Sequence, residues 1–119
     1  MDLGILEGSA KTSSAQPNDV DRKRIERALK GRKRYRYVSP RVAAVTGGYH
    51  VESPCCSRNI DPDGGLIDIA LVLYDPNCPA WQLFRKDHDK EVWEAHSTFG
   101  RLAELLDLLN ADPERKFWQ

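Results

Sequence analysis

The stretch Leu66-Ile67-Asp68-Ile69-Ala70-Leu71-Val72-Leu73-Tyr74 decides the fold. A single acid interrupts a segment that is otherwise aliphatic or aromatic. In an extended chain Ile67, Ile69, Leu71 and Leu73 fall on one face, and Ala70 and Val72 on the other. Apolar residues on both faces predict a strand covered on most of both sides, and therefore a central one. Asp75-Pro76-Asn77-Cys78-Pro79 ends it, because two prolines in five residues cannot donate to a ladder.

Outward from this strand the period stays at two. Downstream, Trp81, Leu83 and Arg85 alternate with Gln82 and Phe84. Asp87-His88-Asp89-Lys90 then turns the chain, and Val92 to Ala95 returns, which predicts a hairpin. Upstream, Arg41 to Thr46 and Tyr49 to Ser53 flank Gly47-Gly48, a two-residue signal for a tight turn. Tyr35 and Tyr37, alternating with Arg34 and Arg36, suggest a further extended piece.

Helical spacing appears only at the ends. Asn18 or Asp19 can cap a helix over 19–30, with Asp21 in the first turn, Ile25, Ala28 and Leu29 on one face, and Gly31 as its left-handed stop. Near the other end, Ser97 or Thr98 can cap a helix whose Phe99, Leu102, Leu105, Leu106 and Leu109 form one stripe. Asn110 is placed to close it. The tail from Asp112-Pro113 carries Phe117 and Trp118, which cost too much to leave in water if they can fold back. The expected class is α+β: an N-terminal helix, an antiparallel sheet of four to five strands, and a C-terminal helix packed on the sheet. Residues 1–17, small and polar, are expected to be a disordered tail, and 18–119 a single domain.

The chain has 119 residues, 40% of them hydrophobic and 30% charged, which fits a globular domain and excludes a fibrous or disordered composition. No apolar run is long enough to span a membrane, and the N-terminus lacks a signal-peptide pattern. Three cysteines, an odd number, favour reduced thiols over a disulfide framework, so the expected location is the cytoplasm. The net charge of zero conceals a segregation: residues 22–41 hold ten Lys/Arg against Glu26 alone, about +9, balanced by about −9 elsewhere.

Two stretches carry candidate chemistry. In Ser53-Pro54-Cys55-Cys56-Ser57-Arg58-Asn59-Ile60-Asp61-Pro62-Asp63-Gly64-Gly65 the acids match part of a calcium-loop register, but Ala70 stands where a bidentate Glu is required. Cys55 and Cys56 are adjacent, so their sulfurs diverge, and a zinc site would need Cys78 with His50 or His88 brought in by the fold. Cys56 could instead be a nucleophile, with Arg58 lowering its pKa and His50 as base, oriented by Glu52 or Asp61. The alternative for all of them is a structural loop with ordinary thiols. The basic segment offers Arg22, Lys23, Arg27, Arg32, Lys33, Arg34 and Arg36 to phosphates, with Tyr35 and Tyr37 to stack on bases. Its alternative is a solvated basic face paired with Glu52, Asp68 or a neighbouring carboxylate.

The starting helix Arg22-Lys23-Arg24-Ile25-Glu26-Arg27-Ala28-Leu29, the paired Trp81 and Trp93, the leucine-rich helix and the close Asp112-Pro113 with Phe117-Trp118 resemble a family of small bacterial proteins, domain of unknown function 3024. The likeness spans residues 19–119. It implies this fold and assigns no activity, and the Cys55 to Gly65 stretch departs from the family's pattern. With no catalytic pair, phosphate loop or metal cluster evident, the expected function is non-enzymatic binding of a macromolecule, a protein or a second copy of the chain, without a cofactor. Nucleic-acid binding through 22–41 and thiol redox or metal chemistry at Cys55-Cys56 are the alternatives.

Overall fold

A computed structural model describes residues 15–32, 39–54 and 65–118. Helix α1 covers Asp19–Ala28, followed by one 3-10 turn, Leu29–Gly31. Five strands follow: β1 Arg41–Val45, β2 Gly48–Pro54, β3 Leu66–Asp75, β4 Ala80–Asp87 and β5 Val92–Phe99. Helix α2, Leu102–Ala111, completes the regular structure of the described residues. The strands form one antiparallel meander in the order β1-β2-β3-β4-β5, so the apolar segment that decides the fold is indeed its centre.

Each strand presents its core residues to one side. Val42, Val51 and Ala70 lie in one transverse row, and Tyr49, Val72 and Leu83 in the next. Onto these rows α1 lays Ile25 and α2 lays Leu102, Leu105, Leu106 and Leu109, with Leu29 from the 3-10 turn and Phe117 and Trp118 from the tail. Both helices and the tail therefore occupy the same side of the sheet. Phe117 and Trp118 are buried as expected, and the Trp118 indole donates to the Leu109 carbonyl at 2.8 Å.

Asn18 is the cap of α1: its side chain accepts the Asp21 amide at 2.8 Å. Its own amide donates to the Tyr49 hydroxyl at 3.0 Å, and that hydroxyl donates to Gln16, so residues just ahead of the helix are tied to β2. Residues 1–14 of the expected tail, like the extended piece at 33–38, lie outside the described residues.

Five local expectations are corrected. Gly31 does not stop the helix in the left-handed conformation, because the backbone tightens into the 3-10 turn instead. The β1–β2 turn is Thr46-Gly47, since Gly48 already pairs with Val45. Ser97 and Thr98 are not helix caps: β5 continues through them, pairing with Leu83 and Gln82, and ends at Phe99. Arg101 stands at the cap position with no side-chain bond. Asn110 lies within α2 and donates to the Ala28 carbonyl at 2.8 Å, while Asp112 takes the left-handed position.

The fifth correction concerns β3. Val51 is opposite Ala70 but Glu52 is opposite Asp68, so Ile69 is one extra residue in the ladder, a β-bulge. Ile69 and Ala70 are both buried in the core. Ile67 packs partly against the core, whereas Leu71 and Leu73 belong to the opposite face with His50. The four do not share a face. The bulge also brings Asp68 to the helix-free side.

Candidate functional site

On that side a row runs straight across the sheet, Ala43, His50, Leu71, Phe84 and Ala95. Among the described residues no helix or strand covers it. Its polar centre is built by strand periodicity and the bulge together. His50 and Glu52, two apart on β2, share the face, and Asp68 arrives from β3. From β4 and β5 come Lys86 and its cross-strand partner Trp93.

The geometry is tight. His50 Nε2 lies 2.6 Å from Asp68 Oδ1, and Lys86 Nζ lies 3.1 Å from the other oxygen of the same carboxylate. His50 Nδ1 faces Glu52 Oε2 at 3.9 Å. The Trp93 ring meets the imidazole edge-on, with centroids 5.7 Å apart, and Lys86 Nζ sits 5.1 Å from the indole centroid. Partial burial pushes the Asp68 carboxyl up, but the hydrogen bonds from Lys86 and His50 outweigh it and hold the group below its ordinary value. Asp68 is thus an ionised acceptor between two donors. His50, Glu52 and Asp68 each offer a ligand atom, all within 4.8 Å of one another.

Of the candidate residues named from the sequence, His50 and its suggested orienter Glu52 are placed in this group, and Asp68, named only as a partner for the basic face, joins them. Cys78 lies in the β3–β4 turn beyond Asp75, whereas His50 pairs with Leu71, four residues and about 13 Å back along the strand. His88 is in the β4–β5 turn, at the far end of β4 from Cys78. The structure does not bring Cys78 together with His50 or His88. Cys78 is exposed, and its thiol lies 3.2 Å from Asp75. That bond to the carboxylate and its charge push the thiol above its ordinary value, the reverse of what a nucleophile requires. Cys55, Cys56, Arg58 and Asp61 lie outside the described residues.

The basic segment divides. Arg22 pairs with Glu26 at 3.0 Å and with Asp19 at 3.7 Å. Arg32 is buried, donating to the Leu29 carbonyl and standing 5.0 Å over the Trp118 ring. Lys23 and Arg27 remain exposed. Lys33, Arg34 and Arg36 are outside the described residues.

Nothing along the chain marks Asp68, Lys86 and Trp93 as partners of His50. The His50/Glu52 spacing was a signal for two of the group, but cross-strand neighbours follow from register, which one strand alone does not reveal.

A five-stranded meander with its described helices on one side and a polar group on the other makes this a small α+β domain whose second sheet face no described helix covers. Residues 13–119 match the family described as Domain of unknown function (DUF3024), and the chain belongs to that family. No curated protein and no solved structure matches it. Among the described residues no helix is long and apolar enough to cross a membrane.

Proposed function

We propose that the domain is a protein-binding module that works through its helix-free sheet face, and that its partner is a second copy of the chain. The observation that carries this reading is the asymmetry of the sheet. One side is packed by two helices and the tail. The other presents Leu71, Leu73, Phe84 and Trp93, half-buried and with no helix laid over them among the described residues.

Charge supports a self-complementary contact. Glu52 and Asp68 lie on the same face as Lys86, and β1 opens with Arg41 opposite Glu52, so a two-fold axis can set acids against bases. Size sets the strength. Five strands about 4.8 Å apart and some seven residues of about 3.3 Å give a face of roughly 550 Å². Face-to-face pairing then removes on the order of 1,100 Å² from water, the lower end of specific interfaces, where weak and transient contacts lie.

Sedimentation equilibrium tests it. The average mass is expected to rise toward a dimer between about 1 and about 200 µM, less so as salt increases. Leu73→Glu, a charge on the central strand of the face, is expected to hold the chain at monomer mass with its circular dichroism unchanged. A wild-type chain that stays monomeric throughout that range overturns the reading.

A further inference from the structure

We propose that His50, Glu52 and Asp68 form a binding site for a divalent first-row transition metal ion, of which zinc is the best fit. The three side chains come from adjacent interior strands, β2 and the central β3, and the antiparallel ladder holds their backbones. The register would place a side chain of alternating sense at position 68 in the core. One extra residue, Ile69, breaks that alternation and delivers a carboxylate beside an imidazole instead.

Distances fit an ion with small adjustment. Two ligands about 2.1 Å from a tetrahedral ion lie about 3.4 Å apart. The His50 Nε2 to Asp68 Oδ1 separation of 2.6 Å must open by under about 1 Å as the ion takes the place of the proton between them, and the Glu52 oxygen, which faces the other ring nitrogen at 3.9 Å, lies within 4.8 Å of both other ligand atoms and must close by up to about 1.4 Å. Lys86 does not compete for the ligand atom: it holds Asp68 Oδ2 and leaves Oδ1 to the ion. Hydrogen bonding of the second oxygen of a ligating carboxylate is how such ligands are usually oriented. Trp93 packs nearly perpendicular to the imidazole and restricts its rotation.

The donor set selects the ion. An imidazole nitrogen with two carboxylate oxygens suits zinc and its neighbours, whereas magnesium and calcium prefer oxygen alone. Three protein ligands on a face that no described element covers leave a fourth position for water or for an atom of a partner. The site is independent of the proposed self-association, because one chain supplies all three ligands.

The test must separate these ligands from the thiols, so it uses the chain with Cys55→Ser, Cys56→Ser and Cys78→Ser, stripped with chelator and kept dilute enough to be monomeric. Calorimetric titration with zinc chloride is expected to show one ion per chain, undisturbed by excess magnesium. Cobalt substituted for zinc is expected to give visible d–d bands without sulfur charge-transfer absorption. His50→Gln and Asp68→Asn are each expected to weaken zinc by at least about tenfold. A folded thiol-free chain that takes up neither zinc nor cobalt overturns the proposal, and so do variants that bind zinc as tightly as their parent. Should either variant unfold, the cobalt spectrum of the folded parent decides.

Discussion

The carboxylate of Asp112 accepts the backbone amide of Trp118 at 2.8 Å. It also accepts the amides of Lys116 at 2.8 Å and Phe117 at 3.2 Å. Asp112 stands just past α2 at φ 39°, where glycine is the usual residue. Here the acid is used because its oxygens gather the amides of the reversing chain and set Phe117 and Trp118 into the core.

Asp112→Ala therefore strands buried donors and is expected to cost about 2–4 kcal/mol in urea unfolding. Asp112→Gly relieves the backbone but not the amides, and should recover no more than about 1 kcal/mol of that loss. An Ala variant within about 0.5 kcal/mol of the parent would show that the tail docks without the carboxylate.

Gly47 and Gly48 are neighbours with opposite requirements. Gly47 has φ +81° and open space where a Cβ would project, so Gly47→Ala meets only the backbone preference, about 1–2 kcal/mol. A Cβ on Gly48 would lie 1.9 Å from the Val72 carbonyl oxygen, inside the β2–β3 ladder. Gly48→Ala must push two central strands apart, and is expected to destabilise by more than about 3 kcal/mol, or to prevent folding. Equal melting temperatures for the two variants would contradict this assignment of the turn.

The parts of this fold that were legible in the sequence are those governed by short-range pattern. The both-faced apolarity of β3, the Asn18 cap and the leucine stripe of α2 are properties of a single element. What was hidden depends on a second strand. Ser97 and Thr98 read as caps, yet their pairing with Leu83 and Gln82 keeps them in β5. The bulge at Ile69 exists only relative to Val51 and Glu52, so neither the split of the β3 isoleucines from its leucines nor the meeting of Asp68 with His50 could be seen along the chain. Asn110 was the better left-handed residue by propensity, but its bond to Ala28 and the amides around Asp112 moved the stop two residues on.

Arg32 is a packing residue rather than a phosphate ligand. It is 3% exposed, hydrogen-bonded to Leu29 and stacked over Trp118. Arg32→Ala is expected to lose about 2–4 kcal/mol of stability, combining a desolvated cation–π contact with a cavity. Lys23→Ala and Arg27→Ala, on the exposed face of α1, should stay within about 0.5 kcal/mol of the parent. Heparin retention orders the same variants differently if the segment meets a polyanion: the two exposed positions should then shorten it, and Arg32→Ala, measured while folded, should not. An Arg32 variant as stable as the Lys23 one would mean the buried placement is not used.

Acid should loosen the first helix by way of Asp21. Burial raises the pKa of its carboxyl, but hydrogen bonds from Gln16 and Asn18 and the Arg24 guanidinium at 3.0 Å together bring it below the ordinary 3.8. A carboxyl depressed by folding contributes stability that is fully present above its unfolded value and disappears as pH falls through the folded one. The contribution should therefore be constant down to about pH 5 and fade below about pH 3.8. Asp68 is depressed too, so acid lability of the whole chain does not isolate Asp21. The difference between wild type and Asp21→Asn does, because every other titration is shared by both. That difference, read from thermal unfolding, should be largest near neutrality and shrink in strongly acidic buffer. If it keeps its neutral-pH size there, the charge on Asp21 is not what ties the Asn18 cap to Gln16 and Arg24.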